Sequence, residues 1–156
     1  MDAEDEPGET YADRHGFLSW LGVTVEEREP GRIVLSLPAR GELRNPGGAL
    51  HGGVLATLID HAGGAALRTE LDRPSETPHA STDLNVSYLR PATSDLRAEA
   101  RTLRVGASVA VVSVEVTSVA PDGERKAVAA GRVTLHLDRS GTPAEGGDGR
   151  DGAGSS

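Results

Sequence analysis

Cysteine is absent from the 156 residues, which excludes disulfides and thiolate metal sites and makes a reducing cytoplasm the expected setting. Aromatic residues are scarce, with one Trp, one Phe and two Tyr making up 3% of the chain. So few rings offer no stacking platform for bases, and no basic stripe accompanies them, so nucleic acid is not an expected partner. Long apolar runs are missing too. None approaches the roughly 18 residues of a membrane span, and the acidic start MDAEDEPGET lacks the apolar core of a secretory signal. A soluble protein without membrane attachment is expected.

What charge there is sits at the ends. Residues 1–30 hold nine acids against Arg14 and Arg28, whereas residues 31–137 are close to balanced, within a total of −8. From Asp138 the chain reads DRSGTPAEGGDGRDGAGSS, with almost nothing to bury. The expected organisation is a disordered acidic N-terminus over 1–10, one domain over 11–138 and a disordered tail over 139–156.

Within the domain, Phe17, Leu18 and Leu21 have helical spacing and predict a short helix. VTVEERE and RIVLSLPA, separated by Pro30-Gly31, predict a hairpin. The stretch NPGGALHGGVLATLIDHAGGAAL, residues 45–67, predicts a long helix that is apolar on nearly every face and hence enclosed by protein. Four extended runs follow, ASTDLNVSYLRP, DLRAEARTLRV, ASVAVVSVEVTSVA and RKAVAAGRVTLHLD, which the short turns between them predict to form a meander. The class is therefore α+β: a curved antiparallel sheet of about six strands wrapped around one long central helix, with a short N-terminal helix before it. That layout resembles the hotdog fold.

One residue of the central helix is out of place. Asp60 lies between Ile59 and His61 in the apolar run, and an ionised carboxylate there is costly unless something uses it. Asn45, His51-Gly52-Gly53, Asp60 and Ser81, at their spacings, resemble the hotdog acyl-CoA thioesterases of the phenylacetate-pathway (PaaI-like) branch. The resemblance covers about residues 13 to 137, and HGGVLATLID followed by DLNVSYLRP carries it. It implies hydrolysis of an aromatic or medium-chain acyl-CoA by water, at sites formed between two subunits, with no cofactor and no metal. A homodimer, further paired as a dimer of dimers, is the implied assembly.

Each site residue has a bland role beside its functional one. Gly52 and Gly53 could be a flexible approach to the helix, but free amides and a positive dipole end suit developing negative charge, and the resemblance places the oxyanion contact on Gly52. Asn45 could form an Asx turn before Pro46; the resemblance implies that it helps polarise the thioester carbonyl. Asp60 would take a proton from water or attack the carbonyl itself, and the general base is favoured because Ser81 could orient the water. His51 would cap or brace the loop near the leaving sulfur, while His15, His61, His79 and His136 are structural or surface residues. Gly53 and Gly64 are candidates for substrate contact, and Arg90 and Arg104 for the CoA phosphates, although a solvated strand arginine is the commoner case.

Gly52 and Asp60 are eight residues apart, roughly 12 Å of helical rise, so both cannot reach one carbonyl. A two-fold dimer that sets the helix start of one subunit against mid-helix of the other resolves this. The alternatives are a non-catalytic acyl-CoA-binding hotdog protein, a hotdog enoyl-CoA hydratase and a purely structural module.

Overall fold

The computed structural model describes residues 16–141. The acidic start, His15 and the tail from residue 142 lie outside the described residues. Helix α1 spans Gly16–Leu21, strands β1 and β2 span Thr24–Glu29 and Arg32–Leu37, and helix α2 spans Gly52–Arg68. Strands β3 (His79–Tyr88), β4 (Leu96–Val105), β5 (Val109–Val119) and β6 (Arg125–Leu137) complete one antiparallel sheet. No helix among the described residues is long and apolar enough to cross a membrane.

Period-two patterning gives the sheet its two faces. On β4, Leu96, Ala98 and Ala100 are buried while Arg97, Glu99 and Arg101 face outward. On β5 the buried set is Ala110, Val112, Val114, Val116 and Ser118. The inward row packs against α2, whose Leu55, Leu58, Ile59 and Leu67 are buried, each burial contributing about 1.5–3 kcal/mol. The outward row is tied by charge: Arg32 donates to Glu27 at 2.6 Å and to Glu99 at 3.1 Å. The bond from Arg32 holds the Glu99 carboxyl below its ordinary range. Its contribution to stability is present above the range where an unfolded Glu titrates and is lost as pH falls through that lowered value.

The strand order is β1-β2-β4-β5-β6-β3, which corrects the predicted four-strand meander. Only β4, β5 and β6 form one; β3 pairs with β6 at the far edge. The reason is that β4 already has β2 on its open side, so the chain leaving β2 crosses the whole sheet through α2 and enters β3 beyond β6. Strand β3 is thereby left with one neighbour, and none of its residues is buried.

Close approach of helix and sheet depends on two glycines. A Cβ at Gly63 would stand 2.7 Å from Val133 Cγ2, so helix–sheet packing accounts for that residue. A Cβ at Gly131 would stand 2.5 Å from the Asn85 carbonyl oxygen and 3.0 Å from Ile59 Cγ2. Because a β3 carbonyl cannot rotate away as a side chain can, Gly131→Ala is expected to destabilise the protein by about 2 kcal/mol. Gly64→Ala is the contrast: the nearest atoms, at 3.5 and 4.0 Å, are ordinary contacts, and the helix gains up to about 1 kcal/mol. Denaturant midpoints of the two variants should move in opposite directions.

Candidate active site

The loop before α2 is held by its own backbone. The Asn45 N–H donates to the Ala49 carbonyl at 2.8 Å, the Gly48 N–H to the Asn45 carbonyl at 2.9 Å, and Gly48 takes φ +90°, which favours glycine. Asn45 Oδ1 accepts the Gly47 N–H at 3.1 Å, an Asx turn. That bond engages the oxygen end of the amide and leaves the NH2 end as a donor for a ligand.

At the helix start, the His51 N–H donates to the Leu43 carbonyl and the Val54 N–H to the His51 carbonyl, both at 2.9 Å. Among the described residues, the N–H groups of Gly52 and Gly53 between them meet no acceptor, so the positive end of α2 presents two open donors. His51 holds the cap position through its backbone alone; its exposed ring makes no capping bond. The His51 backbone there has φ −57° and ψ 137°.

A cavity of about 420 Å³ opens beside this helix start, lined among others by Asn45, Gly52, Leu55, Tyr88, Leu89 and Arg90. Leu55 gives it an apolar wall and Asn45 a polar one. Arg90 Nη1 donates to the Ala127 carbonyl at 2.8 Å, which fixes the guanidinium at the rim.

Further along α2, Ser81 Oγ donates to Asp60 Oδ1 at 2.6 Å. The helix runs antiparallel to β3, with Gly52 beside Tyr88, Asp60 beside Ser81, and Arg68 Nη1 within 3.5 Å of His79 Nε2. Asp60 is half-buried within one chain, so that chain's own sheet does not enclose the helix on every face. Among the described residues no strand lies beyond β3, and the face of α2 carrying Gly53, Thr57 and Asp60 therefore stays partly open. Neither Asp60 nor Ser81 lines the cavity at the helix start. Within one chain the site residues fall into two groups roughly 12 Å apart.

Similarity to known proteins gives these groups a context. The pattern of the Thioesterase superfamily matches residues 47–122, from the helix approach to the turn after β5. Human acyl-coenzyme A thioesterase 13 is 34% identical over 117 residues, covering 74% of this chain and 79% of that protein. The chain belongs to the thioesterase superfamily. A Halobacterium salinarum protein with a provisional esterase name is 45% identical over 146 residues, covering 89% of this chain and 97% of that protein. The crystal structure of zebrafish thioesterase superfamily member 2 superposes with a TM-score of 0.69 at 35% identity, covering 81% of this chain and 90% of that one. The hotdog layout and thioesterase activity follow from this membership.

Several expected site residues of this thioesterase come together and others do not. Asn45, Gly52 and Arg90 share one cavity, and Asp60 and Ser81 share a hydrogen bond. Gly53 lies at the helix start but is exposed. Gly64 is buried on the sheet side, near Leu135, and lines none of that cavity. Arg104 stands on β4 eight residues beyond Leu96, roughly 27 Å along the strand, at the end remote from Ala92 and the cavity. Tyr88 and Leu89 line the cavity without having been singled out in the sequence; the signal was available in SYLRP, which ends the strand where the helix begins.

Proposed function

We propose that the protein hydrolyses an acyl-CoA thioester, aromatic or medium-chain, with Asp60 as general base and two copies of the chain building each site. The observation that carries this is the 2.6 Å bond from Ser81 to Asp60, set about two helical turns from the open amides of Gly52 and Gly53. Asp60 Oδ1 is occupied by the Ser81 hydroxyl, and Oδ2 faces an attacking water. Ser81 retains lone pairs with which to hold that water.

As the water oxygen bonds to the thioester carbon, its proton passes to Asp60 and the carbonyl oxygen becomes an oxyanion. The Gly52 N–H and the Asn45 NH2 stabilise that charge. Collapse of the intermediate breaks the C–S bond, and the proton held by Asp60 goes to the departing thiolate. The apolar wall at Leu50 and Leu55 receives the acyl group, and Arg90 at the rim faces the anionic end of CoA.

The exposed edge of β3 supports pairing with a second copy. It is ten residues long, contains no Pro or Lys, and carries Asp83 as its single acid, whereas unpaired edges are usually short or charged. Two-fold antiparallel pairing of β3 with itself would set two antiparallel α2 helices beside one another, the start of each near the middle of the other.

A panel of acyl-CoAs with thiol release followed spectroscopically tests the reaction. Turnover is expected on phenylacetyl- or medium-chain substrates, with no hydration of crotonyl-CoA. Binding of every acyl-CoA without thiol release would turn the reading into that of a sensor.

A further inference from the structure

We propose that Tyr88 is a positioning residue that aims the Gly53 N–H as a second backbone donor to the oxyanion, beside Gly52; this rests on the thioesterase reading of the Gly52 site. The chain has two tyrosines, and Tyr88, at the end of β3, is 55% exposed within one chain. Its hydroxyl donates to the Gly52 carbonyl oxygen at 2.7 Å. That carbonyl and the Gly53 N–H belong to one planar peptide unit, pointing in opposite directions. Holding the oxygen therefore fixes the direction of the N–H.

The clamp is needed where the backbone is softest. Gly52 and Gly53 are adjacent, and glycine restricts its φ and ψ least of all residues. The flanking amides of His51 and Val54 are already engaged, so the backbone donors available to a substrate oxygen at the helix start are those of the two glycines. Gly52 and the phenol also fit one another: a Cβ at Gly52 would stand 3.0 Å from both Cζ and the hydroxyl of Tyr88. A Cβ at 52 would require the ring to give by a few tenths of an ångström. The phenol bond further polarises the peptide, which strengthens Gly53 as a donor when the oxyanion forms.

Tyr88→Phe keeps the ring and removes the hydroxyl. Expected are a fall in kcat of roughly tenfold, a KM within about twofold and an unchanged melting temperature. Two unreactive ligands separate aiming from packing: an alkyl-CoA thioether without a carbonyl, and a 2-oxoalkyl-CoA that keeps one. The variant should bind the thioether as wild type does and lose roughly tenfold of its preference for the ketone. Equal weakening of both ligands, or an unchanged kcat, overturns the proposal. If wild type hydrolyses no acyl-CoA and shows no ketone preference, the thioesterase reading fails separately. Amide exchange at Gly53 then still reports the clamp: faster exchange in Tyr88→Phe supports it, and equal exchange removes it.

Discussion

Asp60→Asn is expected to lower turnover at least about a hundredfold while leaving the fold and the KM close to wild type. The two side chains have the same shape, and the Asn oxygen can still accept the Ser81 hydroxyl that bonds Asp60 at 2.6 Å. What is lost is the proton acceptor. Because Asp60 is half-buried at an open helix face, exchanging the carboxylate for an amide removes no core packing, so melting should be insensitive. Ser81→Ala should cost less, roughly tenfold, since the carboxylate remains but the water loses its second anchor. Near-normal turnover by purified Asp60→Asn would remove Asp60 from the mechanism and favour a structural role for the residue.

That expectation began as a sequence anomaly, an acid inside an apolar run, and the structure shows how far such a reading reaches. The start of α2 was legible because its signals are local: a turn-forming NPGG, then His-Gly-Gly, then apolar residues at helical spacing. The Asn45 Asx turn and the open amides follow from those same few residues. The partial exposure of Asp60 was not legible. An Ala- and Gly-rich helix shows no strong polar stripe, so the open face at Gly53, Thr57 and Asp60 cannot be told from a buried one until the neighbours of α2 are known. The position of β3 was hidden for a related reason. Turn lengths predicted pairing between β3 and β4, while pairing of β2 with β4 decided otherwise, and that contact spans 67 residues between Arg32 and Glu99. Tyr88 reads in sequence as an ordinary strand residue, and only the crossing of α2 past the end of β3 brings its hydroxyl to the Gly52 carbonyl. Arg104 fails in the opposite way: its charge suits a phosphate, but strand length carries it away from the cavity within the chain.

Mixing two inactive variants, Asp60→Asn and Asn45→Ala, is expected to restore activity to roughly a quarter of wild type. In the chain, Asn45 and Gly52 line a cavity that Asp60 and Ser81 do not reach, and eight helical residues, roughly 12 Å, separate the two groups. A base and an oxyanion donor must each come within about 3 Å of one reacting group. A site assembled from the cavity of one subunit and the carboxylate of the other meets that demand, and two-fold symmetry makes two such sites per dimer. When the variants are unfolded and refolded together, random pairing gives mixed dimers in about half of the population. In each mixed dimer one site collects both lesions and its twin collects neither, so about a quarter of all sites are intact. A site lying within one chain would give no recovery, because every chain carries a lesion. Native mass measurement of the mixture separates that result from a failure of the subunits to exchange: mixed dimers present without activity would exclude the shared site.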